Sequence, residues 1–151
     1  MATQVGLRYA ELPRPVAPVG VGIAIGFGET QYVILSVMGG GESQLYITSG
    51  ILRDIKQDRL AALSLCNDIV KNNPSYPIYL HDAPMGWDIL VANVFSIRML
   101  FESPTFFVNA VRGLPIVADN VRPKFWEANL GGQPFNWNTE DLNRLLLVSM
   151  V

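Results

Sequence analysis

Apolar positions along this chain recur with a period of two in some stretches and near 3.6 in others. Val21, Ile23, Ile25 and Phe27 alternate with Gly22, Ala24 and Gly26, which predicts a strand with one small-residue face. Tyr32 to Met38 is almost continuously apolar, and Gln44 to Ile51 is a third candidate strand. Glu29-Thr30 and Gly39-Gly40-Gly41 separate them, so the first half reads as an antiparallel meander joined by tight turns. Ahead of it, Pro13, Pro15 and Pro18 exclude a helix and leave residues 1–18 as an extended arm.

The period then lengthens. Asp58 is placed to cap a helix running to about Lys71, with Leu60, Leu63, Asn67 and Val70 on its apolar face and Cys66 and Ile69 flanking it. Asn72-Asn73-Pro74 ends it, because proline disfavours helical geometry in the residue before it. Tyr76–His81 and Trp87–Val94 read as two more strands around Asp82–Gly86. Ser103-Pro104 marks the start of the clearest amphipathic helix. Along it Phe107, Val111, Leu114, Ala118, Val121 and Phe125 recur at steps of three and four, and Pro115 and Pro123 are expected to kink or divide it. Gly131-Gly132 forms a loop, and Asn138 or Thr139 starts a last helix containing Leu142, Leu145, Leu146 and Val148. Strands cluster rather than alternating strictly with helices. The expected fold class is therefore α+β with an antiparallel sheet of about five strands.

Composition narrows the function classes. The chain has 151 residues, 50% of them apolar and 16% charged, which is ample core for one domain. A net charge of −2 argues against partners held by broad positive charge, so neither nucleic acid nor a membrane is expected. The longest apolar run, Val19–Phe27, is too short to span a bilayer. A single cysteine, Cys66, excludes an internal disulfide and any cysteine-based zinc finger, and it suits a reducing, cytoplasmic setting.

Candidate chemistry is sparse. The glycines at 20, 22 and 26 miss the dinucleotide spacing by one residue, and a strand rather than a helix follows them. No cofactor or metal is expected. His81, the only histidine, lies beside Asp82 and near Asp88, and could serve as a general base with either one orienting it. Cys66 sits among apolar helix neighbours and reads as core. The carboxylates Asp54, Asp58, Asp68, Asp82, Asp88 and Asp119 form no motif. Arg53, Lys56 and Arg59 form a small basic group that reads as a solvated surface. The stretch from Trp126 to Trp137 holds three aromatics in a glycine-containing loop, which either docks a partner or packs back on the domain.

Four segments carry a resemblance: Leu45-Tyr46-Ile47-Thr48-Ser49; Leu60-Ala61-Ala62-Leu63-Ser64-Leu65-Cys66-Asn67-Asp68-Ile69; Trp87-Asp88-Ile89-Leu90-Val91; and Phe106-Phe107-x-x-x-Val111-x-x-Leu114-x-x-Val117-Ala118-Asp119. Across them, from Leu45 to about Phe125, the chain resembles the YbjN-like domains, relatives in fold of the class I type III secretion chaperones. The resemblance implies a non-enzymatic domain that holds a protein or peptide client on an apolar groove or sheet edge and works as a homodimer. It implies a twisted antiparallel sheet flanked by helices, with the YbjN-like domain at 19–128; residues 129–151, a glycine/tryptophan loop and C-terminal helix expected to pack on the same domain, have no counterpart in the family. The family's opening helix has no counterpart in the proline-punctuated first residues. The groove-lining candidates are Tyr46, Phe107, Val111 and Trp126. Two other classes stand beside this one: a structural or regulatory oligomerisation module, and a small enzyme using His81 with Asp82 or Asp88.

Overall fold

A computed structural model describes residues 7–12, 22–27, 31–38, 44–56, 58–72, 76–83 and 86–148. The strands are β1 (Leu7–Leu12), β2 (Gly22–Phe27), β3 (Gln31–Met38), β4 (Gln44–Ile55), β5 (Ile78–Ala83) and β6 (Gly86–Ser96). The helices are α1 (Arg59–Asn72), α2 (Arg98–Glu102), α3 (Pro104–Glu127) and α4 (Thr139–Val148). All strands join one antiparallel sheet in the order β1-β2-β3-β4-β6-β5. The fold is thus α+β with helices flanking an antiparallel sheet. The sheet has six strands rather than about five, because part of the expected arm, Leu7–Leu12, pairs with β2 from Leu7↔Phe27 to Leu12↔Gly22. Pro13, Pro15 and Pro18, and the turns expected at Glu29-Thr30 and Gly39–Gly41, lie outside the described residues.

Alternation along the strands sorts side chains between two cores. On one face Val33, Leu45, Ile47, Ile89 and Val91 pack with Ala62, Cys66 and Ile69 of α1 and with Val111, Leu114, Ala118, Val121 and Phe125 of α3. On the other face Ala24, Tyr32, Ile34 and Leu90 pack with Phe135 and with Leu142 and Leu145 of α4. The sheet is the middle of three layers. β2 contributes its small residues, with Gly22, Ala24 and Gly26 buried. That is the alternation of a strand, and the next described element, β3, is a strand rather than a helix.

Three local expectations need correction. The buried side of α1 is Ala62, Cys66 and Ile69, while Leu60 is 77% and Leu63 39% exposed. The larger leucines suggest one stripe, but the helix turns Ala62, Cys66 and Ile69 inward toward β5 and α3, with Leu65 and Val70 partly buried beside them. Secondly, α3 runs unbroken for 24 residues through both Pro115 and Pro123. An interior proline costs about 3 kcal/mol, and burying each large apolar side chain of the inner face returns roughly 1.5–3 kcal/mol. Packing therefore outweighs the lost backbone bond. Thirdly, Ser103 occupies the N-cap position of α3 without a side-chain cap bond, and Pro104 at the first position does the starting. The other two caps form as read. Asp58 Oδ1 accepts the N–H groups of Leu60 (3.1 Å) and Ala61 (3.2 Å), and Asn138 Oδ1 accepts that of Asp141 (2.8 Å).

Candidate functional site: an aromatic cleft beside strand four

The pairing of β3 with β4 stops at Ile34↔Thr48, yet β4 continues to Ile55 through register shifts at Gly50/Leu52 and Leu52/Ile55. Past that point the edge groups of β4 need other partners. Arg122 of α3 provides one set, its Nε donating to the carbonyl of Ile51 at 2.7 Å and its Nη2 to that of Gly50 at 3.4 Å. Gln133 provides the other. Its carbonyl accepts the Arg53 N–H at 2.7 Å, and its own N–H donates to the Arg53 carbonyl at 2.9 Å. The glycine loop after α3 is thereby folded back onto the sheet as a one-residue bridge.

That return depends on backbone shape. Asn129, Gly131 and Gly132 all have positive φ, and a Cβ at Gly132 would lie 2.8 Å from Ile55 Cγ1. The chain then delivers Phe135, 5% exposed, into the second core and Trp137 edge-on to Tyr32, ring centroids 6.1 Å apart. Asp141 closes the loop by accepting the Asn136 N–H at 2.7 Å.

Between this loop and the end of α3 lies a cleft of about 410 Å³. Its walls are Trp126, Phe135, Trp137, Pro123 and Pro134, and its polar groups come from Asp119, Arg122 and Asn136. Arg122 Nη1 donates to Asp119 Oδ1 at 2.8 Å, so the charge in the cleft is internally paired. Trp126 remains 44% exposed, and its indole N–H reaches the Gly132 carbonyl at 3.4 Å. The hollow is mostly apolar and aromatic, with its charged lining groups paired to each other.

Of the four groove candidates, only Trp126 lines this cleft. Val111 is 6% exposed and belongs to the core under α3, with Phe107 packed against it. Tyr46 lies on the opposite face of the sheet, paired with Ser36 and Val94, and its hydroxyl donates to Gln44 Oε1 at 3.2 Å. A periodic apolar position on α3 signals burial at least as strongly as exposure, and Val111 is buried while Phe107 is partly buried against the same core. Phe135 and Trp137 were visible as loop aromatics. Arg122 and Asp119 carried no sequence signal, since their role comes from the β4 edge.

A second polar cluster lies on the same face as α4. Arg144 Nε donates to Asp88 Oδ2 at 2.6 Å, and its Nη2 reaches Asp88 Oδ1 at 2.7 Å and Asp54 Oδ1 at 2.8 Å. The Asp54 N–H also donates to Asp88 Oδ1, at 3.1 Å, an arrangement made possible by the positive φ of Asp54 at the bulge. Burial pushes the carboxyl of Asp88 above its ordinary range. Asp54, although burial acts to raise it, is held below its ordinary range by the guanidiniums of Arg144 and Arg53. The cluster fastens α4 to the sheet.

This bears on His81. Asp82 shares a sheet face with α1 and pairs with Arg59 at 3.1 Å, whose guanidinium also lies 5.0 Å from the Trp87 ring. Asp88 stands directly across from His81 in the ladder, but its oxygens are taken by Arg144 and the Asp54 N–H. The His81 Nδ1 is buried without a hydrogen-bond partner. Neither carboxylate orients the imidazole. Cys66 is buried, and desolvation pushes its thiol up to about 11. The basic group Arg53, Lys56 and Arg59 is divided, Arg53 going to Asp54 and Asp141 and Arg59 to Asp82.

Among the described residues no group of three or more His, Cys, Asp or Glu side chains could hold a metal ion. No described helix is long and apolar enough to cross a membrane. No protein-family model matches the chain, nor does any curated protein or solved structure.

Proposed function

We propose that this chain is a non-enzymatic binding domain that takes a peptide or protein segment into the cleft between α3 and the 131–137 loop. The carrying observation is the cleft itself: two tryptophans, a phenylalanine and two prolines line a hollow of about 410 Å³ whose only charges, Asp119 and Arg122, already pair. Tryptophan and proline walls offer large contact area at small entropic cost, the surface that recurs where extended segments dock. The element order from β2 to α3 (three strands, a helix, two strands, then a short and a long helix) supports the resemblance to YbjN-like and secretion-chaperone domains, and with it a client-holding role.

Selection of a phage-displayed random peptide library on the immobilised protein tests this reading. Recurrent peptides that bind the wild type and are lost on Trp126→Ala, with the fold verified by circular dichroism, are the expected result. Enrichment unaffected by Trp126→Ala, or no enrichment, contradicts it.

A further inference from the structure

The hydrogen-bonding groups around the aromatic cleft are unevenly divided between donors and acceptors. Arg122 Nη2 stands 3.4 Å from the Gly50 carbonyl, and the Trp126 indole nitrogen 3.4 Å from that of Gly132. Both contacts are longer than the roughly 2.7–3.2 Å of an ordinary N–H···O bond. Both side chains line the cleft, so each brings it an under-used donor. The acceptors beside them already receive bonds. The Gln133 carbonyl takes the Arg53 N–H at 2.7 Å, the Gly132 carbonyl faces the indole, and Asp119 Oδ1 takes Arg122 Nη1 at 2.8 Å.

Such a site fits a segment rich in carbonyls and poor in N–H groups. A backbone N–H buried without an acceptor carries a desolvation penalty, and proline has no N–H to bury. Addition of the segment as a further β-strand is closed off. Where β3 no longer pairs with β4, Arg122 holds the carbonyls of Gly50 and Ile51, and Gln133 holds both backbone groups of Arg53.

Shape and charge agree with this chemistry. Two indoles, Trp126 and Trp137, and two pyrrolidine rings, Pro123 and Pro134, give the cleft flat walls. Aromatic-lined grooves recognise the polyproline II helix, which is preformed and so loses little entropy on docking. Asp119 and Arg122 neutralise each other, which leaves no net charge for an acidic or basic segment to meet and matches an uncharged one. Trp137 is braced edge-on against Tyr32, and the Gln133–Arg53 bridge fixes the loop behind it, so this wall stands ready before the segment arrives.

We infer that the cleft takes a proline-rich segment in the polyproline II form, its rings packed against the tryptophans and its carbonyls accepting from the Trp126 indole and Arg122. This names the class of segment and rests on the reading of the cleft as a peptide site.

The probe is decaproline, acetylated and amidated, titrated calorimetrically into the full chain, with a glycine–serine peptide of the same length as control. Saturable binding of decaproline and none of the control is expected. Trp126→Ala, with circular dichroism unchanged, should weaken it about tenfold or more, the loss of a central aromatic anchor. Trp126→Phe keeps a ring but removes the donor, and its affinity should fall between the two. Affinity should hold steady between low and high salt, because no net charge is engaged. Decaproline that fails to bind, while a proline-free library-selected peptide binds and is lost on Trp126→Ala, overturns the polyproline assignment and leaves the peptide site standing. Failure of both peptides removes both readings. Decaproline binding that Trp126→Ala leaves unchanged, or equal binding of the glycine–serine peptide, also overturns the assignment.

Discussion

Phe135 lies so close to the backbone of Gly50 that a Cβ at position 50 would stand 2.4 Å from its Cδ2. This contact positions the cleft. It seats the returning loop in the second core, and the loop in turn carries Trp137 to Tyr32 and the bridge from Gln133 to Arg53. Gly50→Ala should overpack this junction and cost about 1–3 kcal/mol, read as a lower midpoint in urea. Because the residues touch, the Gly50→Ala cost should be smaller in a Phe135→Leu background. A double-mutant cycle measures that coupling, and strict additivity would contradict the account.

Arg144 holds two carboxylates, one of which, Asp88, is 1% exposed. Arg144→Met leaves that buried charge unpaired and should destabilise by roughly 3–5 kcal/mol. Adding Asp88→Asn should recover part of the loss, since the uncompensated charge is then gone. Equal denaturation curves for the single and double variants would show that the ion pair is not what binds α4.

Tyr32 gives the opposite expectation. Its ring packs on Trp137, but its hydroxyl is buried with no hydrogen-bond partner. Burial, and next to it Asp141, push the phenol well above its ordinary range, with Arg122 and Arg53 opposing. Removing an unsatisfied buried hydroxyl should relieve a desolvation cost of about 1 kcal/mol. Tyr32→Phe is therefore expected to raise the unfolding midpoint, and a drop would reveal a partner for that oxygen.

The acid response separates Asp54 from Asp88. The Asp54 pKa is depressed in the folded protein, so its stabilising effect is present above the ordinary carboxylate value, about 3.9, and is lost as pH falls through the folded value. Asp88, raised by burial, acts in the opposite sense, its charged form costing stability as pH rises through the ordinary range. Asp54→Asn should thus lose less stability than the wild type on acidification below about pH 4. Parallel stability–pH curves would refute the assignment.

Cys66 should resist labelling. With its thiol buried and raised to about 11, iodoacetamide at neutral pH should modify it in step with unfolding rather than at the rate of a free thiol. Rapid native-state alkylation, followed by mass spectrometry, would place it elsewhere than in the α1 core.

How far the sequence revealed this molecule varied with the range of the forces involved. Period-two and period-3.6 patterns located β2 to β6 and α1, α3 and α4, because each element's burial is written in its own residues. Asp58 and Asn138 announced their caps for the same reason. The inner face of α1 was misread because Leu60 and Leu63 outweigh Ala62 in hydrophobicity, whereas the side that meets the core carries Ala62, Cys66 and Ile69. β1 was hidden in an arm dominated by prolines that follow it. In the cleft, Trp126 was legible as a loop-flanking aromatic, but Arg122 takes its place because the β3–β4 pairing stops at Ile34↔Thr48 and leaves the carbonyls of Gly50 and Ile51 to be satisfied. The Arg144 clasp spans 90 residues between Asp54 and Arg144, and no local pattern reports such a pair.

The claim that the aromatic cleft holds a peptide segment is tested most directly by calorimetric titration of a library-selected peptide into wild type, Trp126→Ala and the Trp126→Ala/Trp137→Ala double variant. Each must first show an unchanged solution mass and circular dichroism. The account predicts saturable binding to the wild type, weaker binding to the single variant and loss in the double, with no change in mass. Equal affinity across all three proteins would contradict it and remove the cleft as the binding site.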